Sequence, residues 1–183
     1  MRVIGGKYRS RVLAQFAGEN VRPTSDRARE ALFNMLAPKM PNARVLDLFC
    51  GSGAIGIESL SRGAREAVFN DLSKDSVVIV KKNLSALKIK IGEEAKVCSY
   101  DYAVCLDMQN DPFDFIFIDP PYRFDYGEKA LKKIAEKELL TDTGIAVYER
   151  DIPFVGEIAG LEQYDERKYG KAYLTFFRKK ENV

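Results

Sequence analysis

The 183-residue chain is 46% hydrophobic and 31% charged, with a net charge of +2; this is the composition of one globular domain with a sizeable core, and no apolar run is long enough to cross a bilayer. It contains no histidine, which excludes His-based triads, His general bases and His metal ligands. Cys50, Cys98 and Cys105 form no CxxC pair and read as reduced thiols. The opening "MRVIGGKYRSRVL" has no apolar region of signal-peptide length before its charges resume, so the expected compartment is the cytoplasm.

Residues 1–14 read as short strands or a hairpin broken at Gly5-Gly6. The first 30 residues hold seven Lys/Arg against three acids, while the remainder is mildly acidic. A basic arm on an acidic body suggests a polyanionic partner; the plainer reading is a solvated basic segment. "RPTSDRAREALFNML" opens with a Pro and a Thr/Ser/Asp cluster suited to a helix cap. Ala28, Leu32, Met35 and Leu36 then share a helical face, and Pro38 and Pro41 end the helix. From residue 43 strands and helices alternate. Strands are predicted at 43–49, 66–71, 95–100, 113–119 and 144–149. Helices are predicted at 53–62, 73–87 (capped by Ser73) and about 126–138. The tail reads as two strands turning near Gly170. This order argues for an α/β fold with a mostly parallel sheet covered on both faces, and an antiparallel pair at one edge.

"VLDLFCGSGAIG" joins the first alternating strand to its helix. Gly51, Gly53 and Gly56 match GxGxxG, which permits a tight turn and close approach of a ligand to backbone. Asp71 lies 20 positions after Gly51, at the end of the next strand. It is followed by Leu72. An acid there can accept from two ribose hydroxyls, so the setting points to a nucleoside cofactor. NAD would bring a pyrophosphate to the helix N-terminus. S-adenosylmethionine carries instead an amino acid and a sulfonium. Asp47, four residues before Gly51, would repel a pyrophosphate and suits an ammonium; it also reads as a structural acid bonded to loop amides. Asp101, with Tyr102 beside it, follows the third strand and could accept from an adenine amino group, although "SYDYA" equally reads as a plain turn.

"FDFIFIDPPY" ends the most apolar strand in Asp119, Pro120, Pro121 and Tyr122. The prolines donate no hydrogen bond and hold the chain extended. The outward groups are then acceptors, the Asp119 carboxylate and the Pro120 carbonyl, which together suit an NH₂ group. Tyr122 offers a face on which a flipped base can stack. Holding an exocyclic amine by its protons turns its lone pair toward an electrophile, and transfer then needs chiefly position.

On these residues the chain resembles the RsmD family, class I S-adenosylmethionine-dependent methyltransferases acting on a guanine N(2) amino group of 16S ribosomal RNA. "RPTSDRAREALFNML", "VLDLFCGSGAIGIESLSRGA", "FDFIFIDPPY" and "KYGKAYLTFFRK" carry the resemblance, in order and over nearly the whole length. Cys50 and Asp71 stand where the family often has alanine and glutamate. The resemblance implies a Rossmann-like, seven-stranded, mostly parallel sheet with an antiparallel last strand. It also implies a monomer acting on 16S RNA in a small-subunit particle, with no membrane partner. Residues 1–183 would form one methyltransferase domain, with 1–40 a hairpin-plus-helix extension that helps bind RNA. The block at 22–36 would help cover the cofactor and meet RNA; Arg22, Thr24 and Arg27, chosen there by residue type, would join Arg9 and Arg11 of the arm. The other readings are a DNA adenine methyltransferase, for whose recognition region the chain leaves little room, and a protein-glutamine methyltransferase, which favours Asn at position 119. A nicotinamide-dependent oxidoreductase is what the glycine loop alone suggests, and a non-catalytic RNA-binding module what the arm alone suggests.

Overall fold

A computed structural model of the chain describes residues 1–16, 26–121 and 125–180. In chain order its elements are α1 (Asp26–Leu36), β1 (Arg44–Asp47), α2 (Ala54–Ser61), β2 (Glu66–Asn70), α3 (Lys74–Ala86) and β3 (Ala95–Cys98). Then come α4 (Tyr102–Asp107), β4 (Phe113–Ile118), α5 (Tyr126–Glu136), β5 (Leu140–Arg150), β6 (Leu161–Tyr169) and β7 (Ala172–Lys179). The strands form one sheet in the order β3-β2-β1-β4-β5-β7-β6. β1 to β5 are mutually parallel, and β7 runs antiparallel between β5 and β6.

The apolar run of β4 is explained by burial on both faces. Successive side chains of a strand point to opposite sides. Phe115 and Phe117 enter a core with Val45, Ile57, Phe69, Val147 and Phe176. Ile116 and Ile118 enter the opposite core with Leu46, Val68, Leu131, Ala146 and Phe177. A strand covered on one face would need alternation with polar residues; β4 has a helix layer on each side and needs none.

The predicted helix at 22–36 is seen from Asp26, its earlier residues lying outside the described ones. Its buried face is Ala28, Arg29, Leu32, Phe33 and Leu36, with Met35 only partly covered. The short α4 falls where only a turn was expected. Asp101 caps it, accepting from the Ala103 amide at 2.9 Å, and Cys105 and Leu106 anchor it in the core. β5 is longer than expected because it pairs with β4 on one side and β7 on the other.

The expected N-terminal hairpin is reduced to a single antiparallel bridge, Arg2 to Val12, around a 3-10 turn at Gly6–Tyr8. Strands do not develop because the arm is held by α2 instead. The fully buried Glu58 accepts from the amides of Ile4 (2.7 Å) and Gly5 (2.8 Å), and from Arg62 Nε (2.7 Å). A side chain at Gly6 would collide with the Ser61 carbonyl, so this close approach requires glycine. Val3 and Leu13 carry the arm into the core.

Candidate active site

The strand order reverses direction between β1 and β4, and ligands of open α/β sheets bind beyond the carboxyl ends of strands at that point. The chain places its glycine loop there. Gly51 takes φ +51°, a conformation that disfavours side chains, and a Cβ built on it meets nothing within 4 Å. The loop thus leaves its outer face open. Gly56 has another role: a Cβ there would lie 2.3 Å from the Phe69 ring, so its absence seats α2 against β2.

Each acid of the loop is held by backbone. Asp47 accepts from the Gly56 amide at 3.0 Å, and Asp71 accepts from Gly51 (2.9 Å) and Ser73 (2.9 Å). Of the two readings of Asp47, the bond to Gly56 in the first turn of α2 is the structural one; the residue also lines the cavity beside the loop. The buried Asn70 ties three strand ends together. Its amide donates to the Leu48 carbonyl at 3.2 Å and the Tyr100 carbonyl at 3.1 Å, and its oxygen accepts from the Tyr100 amide at 3.2 Å.

The cavity is walled by Asp47, Gly51, Asp119, Glu149, Phe117 and Arg29, among others. Asp71, the exposed Leu72, Asp101 and Tyr102 are not among its lining residues. They flank it at the ends of β2 and β3, where Tyr102 stacks loosely between Phe49 (5.7 Å) and Tyr126 (5.2 Å). Gly53 opens α2 behind the wall at φ +78°. Pro120 is buried and Pro121 exposed. Tyr122, Arg22 and Thr24 lie outside the described residues. Arg9, Arg11 and Arg27 are exposed and make no ion pair among the described residues.

Charge is the cavity's main property. Asp47 is 5% exposed, and burial pushes its carboxyl up to about 7 despite the Gly56 hydrogen bond, with Asp71 adding to the rise. Asp119 is exposed and lines the cavity. Surrounding protein, then Glu149, then Asp47 hold its carboxyl well above the usual range. Glu149 comes to Asp119 through sheet register, because Ile118 pairs with Tyr148 and the next residue on each strand is the acid. Neighbouring acids raise a carboxyl in this way.

Sequence reasoning missed Glu149 and Arg29. Nothing local marks Glu149. Arg29 did leave a signal, since it occupies the apolar stripe of α1 one turn before Leu32 and Phe33. It is 2% exposed; Nη2 donates to the Arg2 carbonyl (2.6 Å) and to Asp26 (2.9 Å), while Nε and Nη1 have no partner among the described residues.

The chain is similar to known proteins over nearly its whole length. The family model described as "Conserved hypothetical protein 95" matches residues 1–178. Two proteins named "Ribosomal RNA small subunit methyltransferase D" are similar. That of Haemophilus influenzae is 38% identical, over 85% of this chain and 82% of its own. That of Escherichia coli is 35% identical, over 83% and 75%. Among solved structures, yhhF of Escherichia coli superposes with a TM-score of 0.87 at 31% identity, covering 98% of this chain and 97% of that one. HI0767 of Haemophilus influenzae does so with 0.82 at 32%, covering 98% of each. A family match over nearly the whole chain, relatives 35–38% identical to it and a shared fold mean that the chain belongs to the RsmD family of methyltransferases.

Proposed function

We propose that the protein methylates the exocyclic N(2) amine of a guanine in 16S ribosomal RNA, with S-adenosylmethionine as the cofactor. The observation that carries this reading is the position of Asp119, at the end of β4 in a cavity shared with the glycine loop. The cofactor fits the donor set. Asp47, Asp119 and Glu149 give the cavity an acidic wall, which would repel a pyrophosphate and favours a ligand with cationic centres. The open face at Gly51 leaves room for a ligand against backbone.

In this reading Asp47 faces the ammonium, Asp71 the ribose hydroxyls, and Asp101 with Tyr102 the adenine. Gly51 and Gly53 shape the loop, and Leu72 covers its rim. Bound S-adenosylmethionine supplies an electrophilic methyl group on a sulfonium. The protein's part is to present the amine. The Asp119 carboxylate and the Pro120 carbonyl accept its two N–H bonds, and Pro121 keeps a competing donor away. Tyr122 is assigned from its place in the chain as the stacking ring. The amine sheds one proton on methylation. Asp119 is suited to receive it, because a carboxyl held above its usual range is a better base. Arg9, Arg11, Arg22, Thr24 and Arg27 would hold the RNA backbone. A 16S target in a small-subunit particle implies work in the cytoplasm, as a monomer; among the described residues no helix is long and apolar enough to cross a membrane.

The test is methylation of small-subunit particles from a strain lacking this activity, followed by digestion and identification of the modified nucleoside. N(2)-methylguanosine is the expected product. Label in adenosine, or in protein alone, would refute the assignment.

A further inference from the structure

We propose that Glu149 selects guanine as the substrate base, by accepting the N1–H of its ring while Asp119 holds the neighbouring amine. The inference rests on the guanine reading above and adds to it the residue that tells guanine from the other bases with an exocyclic amine.

Guanine presents two donors side by side, an exocyclic amine at C2 and a ring N–H at N1. Adenine and cytosine also carry an exocyclic amine, but the ring nitrogen beside it has a lone pair and no proton. Acceptors that hold only the amine therefore cannot tell the three bases apart. A further acceptor next to them can, because it gains a hydrogen bond from guanine and meets a lone pair on the others. Flipped bases are read along this edge. A site built around a donor rejects an analogue that lacks it, since the site's buried polar groups are then left unpaired.

The sheet supplies that further acceptor. β4 and β5 run parallel, with Phe117 opposite Val147 and Ile118 opposite Tyr148. Asp119 and Glu149 come next on the two chains. Neighbouring strands lie about 4.8 Å apart, so the two acids start from adjacent points at the carboxyl ends. Phe117 and Val147, two residues earlier, face one core, and both pairs line the one cavity. Glu149 is half-buried and Asp119 exposed, so both acids keep accessible surface. After burial, Glu149 is the main influence that raises the Asp119 carboxyl. A ring N–H set between the two acids would ease that repulsion. The Asp119 carboxylate and the Pro120 carbonyl are occupied by the two amine protons in the reading above, which leaves the N1–H to Glu149. A carboxylate has about four acceptor positions, so this bond is compatible with others that Glu149 makes.

The experiment uses small-subunit particles reconstituted with 16S RNA that carries either guanine or 2-aminopurine at the nucleotide identified by the methylation assay above. 2-Aminopurine keeps the amine at C2 and has no proton on N1. The kcat/KM of the whole chain is measured on both at saturating cofactor. Wild type should favour guanine by roughly 10- to 100-fold, the range for a hydrogen bond to a charged group. Glu149→Gln should bring the two substrates within a few-fold of each other, because its amide can accept from an N1–H or donate to a bare N1. A preference that came only from the 6-oxygen, which 2-aminopurine also lacks, would survive in the variant. Equal use of both RNAs by wild type overturns the proposal and needs no variant. So does a folded Glu149→Gln protein, checked by circular dichroism, that keeps the wild-type ratio or methylates neither RNA. If wild type leaves the guanine particle unmethylated, the guanine reading itself falls, an outcome distinct from equal use of both RNAs.

Discussion

Replacing Asp47 by Asn should make the ligand-free protein more stable at alkaline pH, by an amount that the burial of this carboxyl determines. Asp47 is 5% exposed, and its pKa is raised from 3.8 to about 7. The folded chain therefore holds a proton that the unfolded chain releases near its ordinary value. The stability this proton supports is fully present below about pH 4 and is lost as pH rises through 7. At about 1.4 kcal/mol per pH unit, the loss over that window is about 4 kcal/mol. Asparagine keeps an oxygen to accept from the Gly56 amide, 3.0 Å away in the wild type, and has no proton to lose. Asp119 has the same sign of shift in both proteins, and it is eased in the variant because Asp47 is one of its neighbours. The variant should thus be about 4 kcal/mol more favoured, relative to wild type, at pH 8 than at pH 4. For a chain of this size that is a gain of roughly 8–16 °C in melting temperature. Urea unfolding at five pH values between 4 and 8.5 would measure it. Stability curves that stay parallel across this range would refute the argument from burial.

Asp119→Ala should lower kcat by about 100- to 10,000-fold while cofactor affinity by titration stays within a few-fold, since its carboxylate is assigned to the amine; near-normal turnover would remove it from the chemistry. Gly56→Ala should destabilise the fold by about 1–3 kcal/mol in urea melts, because the new methyl must displace the Phe69 ring; an unchanged midpoint would mean that α2 can shift freely. Arg9→Ala with Arg11→Ala should reduce the slope of log K for RNA against log [salt] by about one or two units and leave cofactor binding unchanged. Identical salt dependence in the double variant would take the arm out of the RNA interface.

What could be read from the sequence alone was whatever depends on neighbouring residues. The unbroken apolar run in "FIFI", the glycines needed at the turn, the acid 20 positions after Gly51 and the acceptor-only "DPP" are local statements about backbone and hydrogen bonding. They located the strands, the loop and Asp119. Their reach ends where a residue's surroundings come from far along the chain. Glu149 enters the site because β5 lies beside β4 in a register that pairs Ile118 with Tyr148. β7 inserts between β5 and β6, an order no local pattern encodes. The arm forms no strands because Glu58, more than 50 residues later, takes its amides. Arg29 was visible as a charge on an apolar stripe, but only the packed structure shows that two of its nitrogens are buried without a partner among the described residues. Hydrogen-bond satisfaction and desolvation are sums over everything that surrounds a group, and those surroundings exist only once the sheet has assembled.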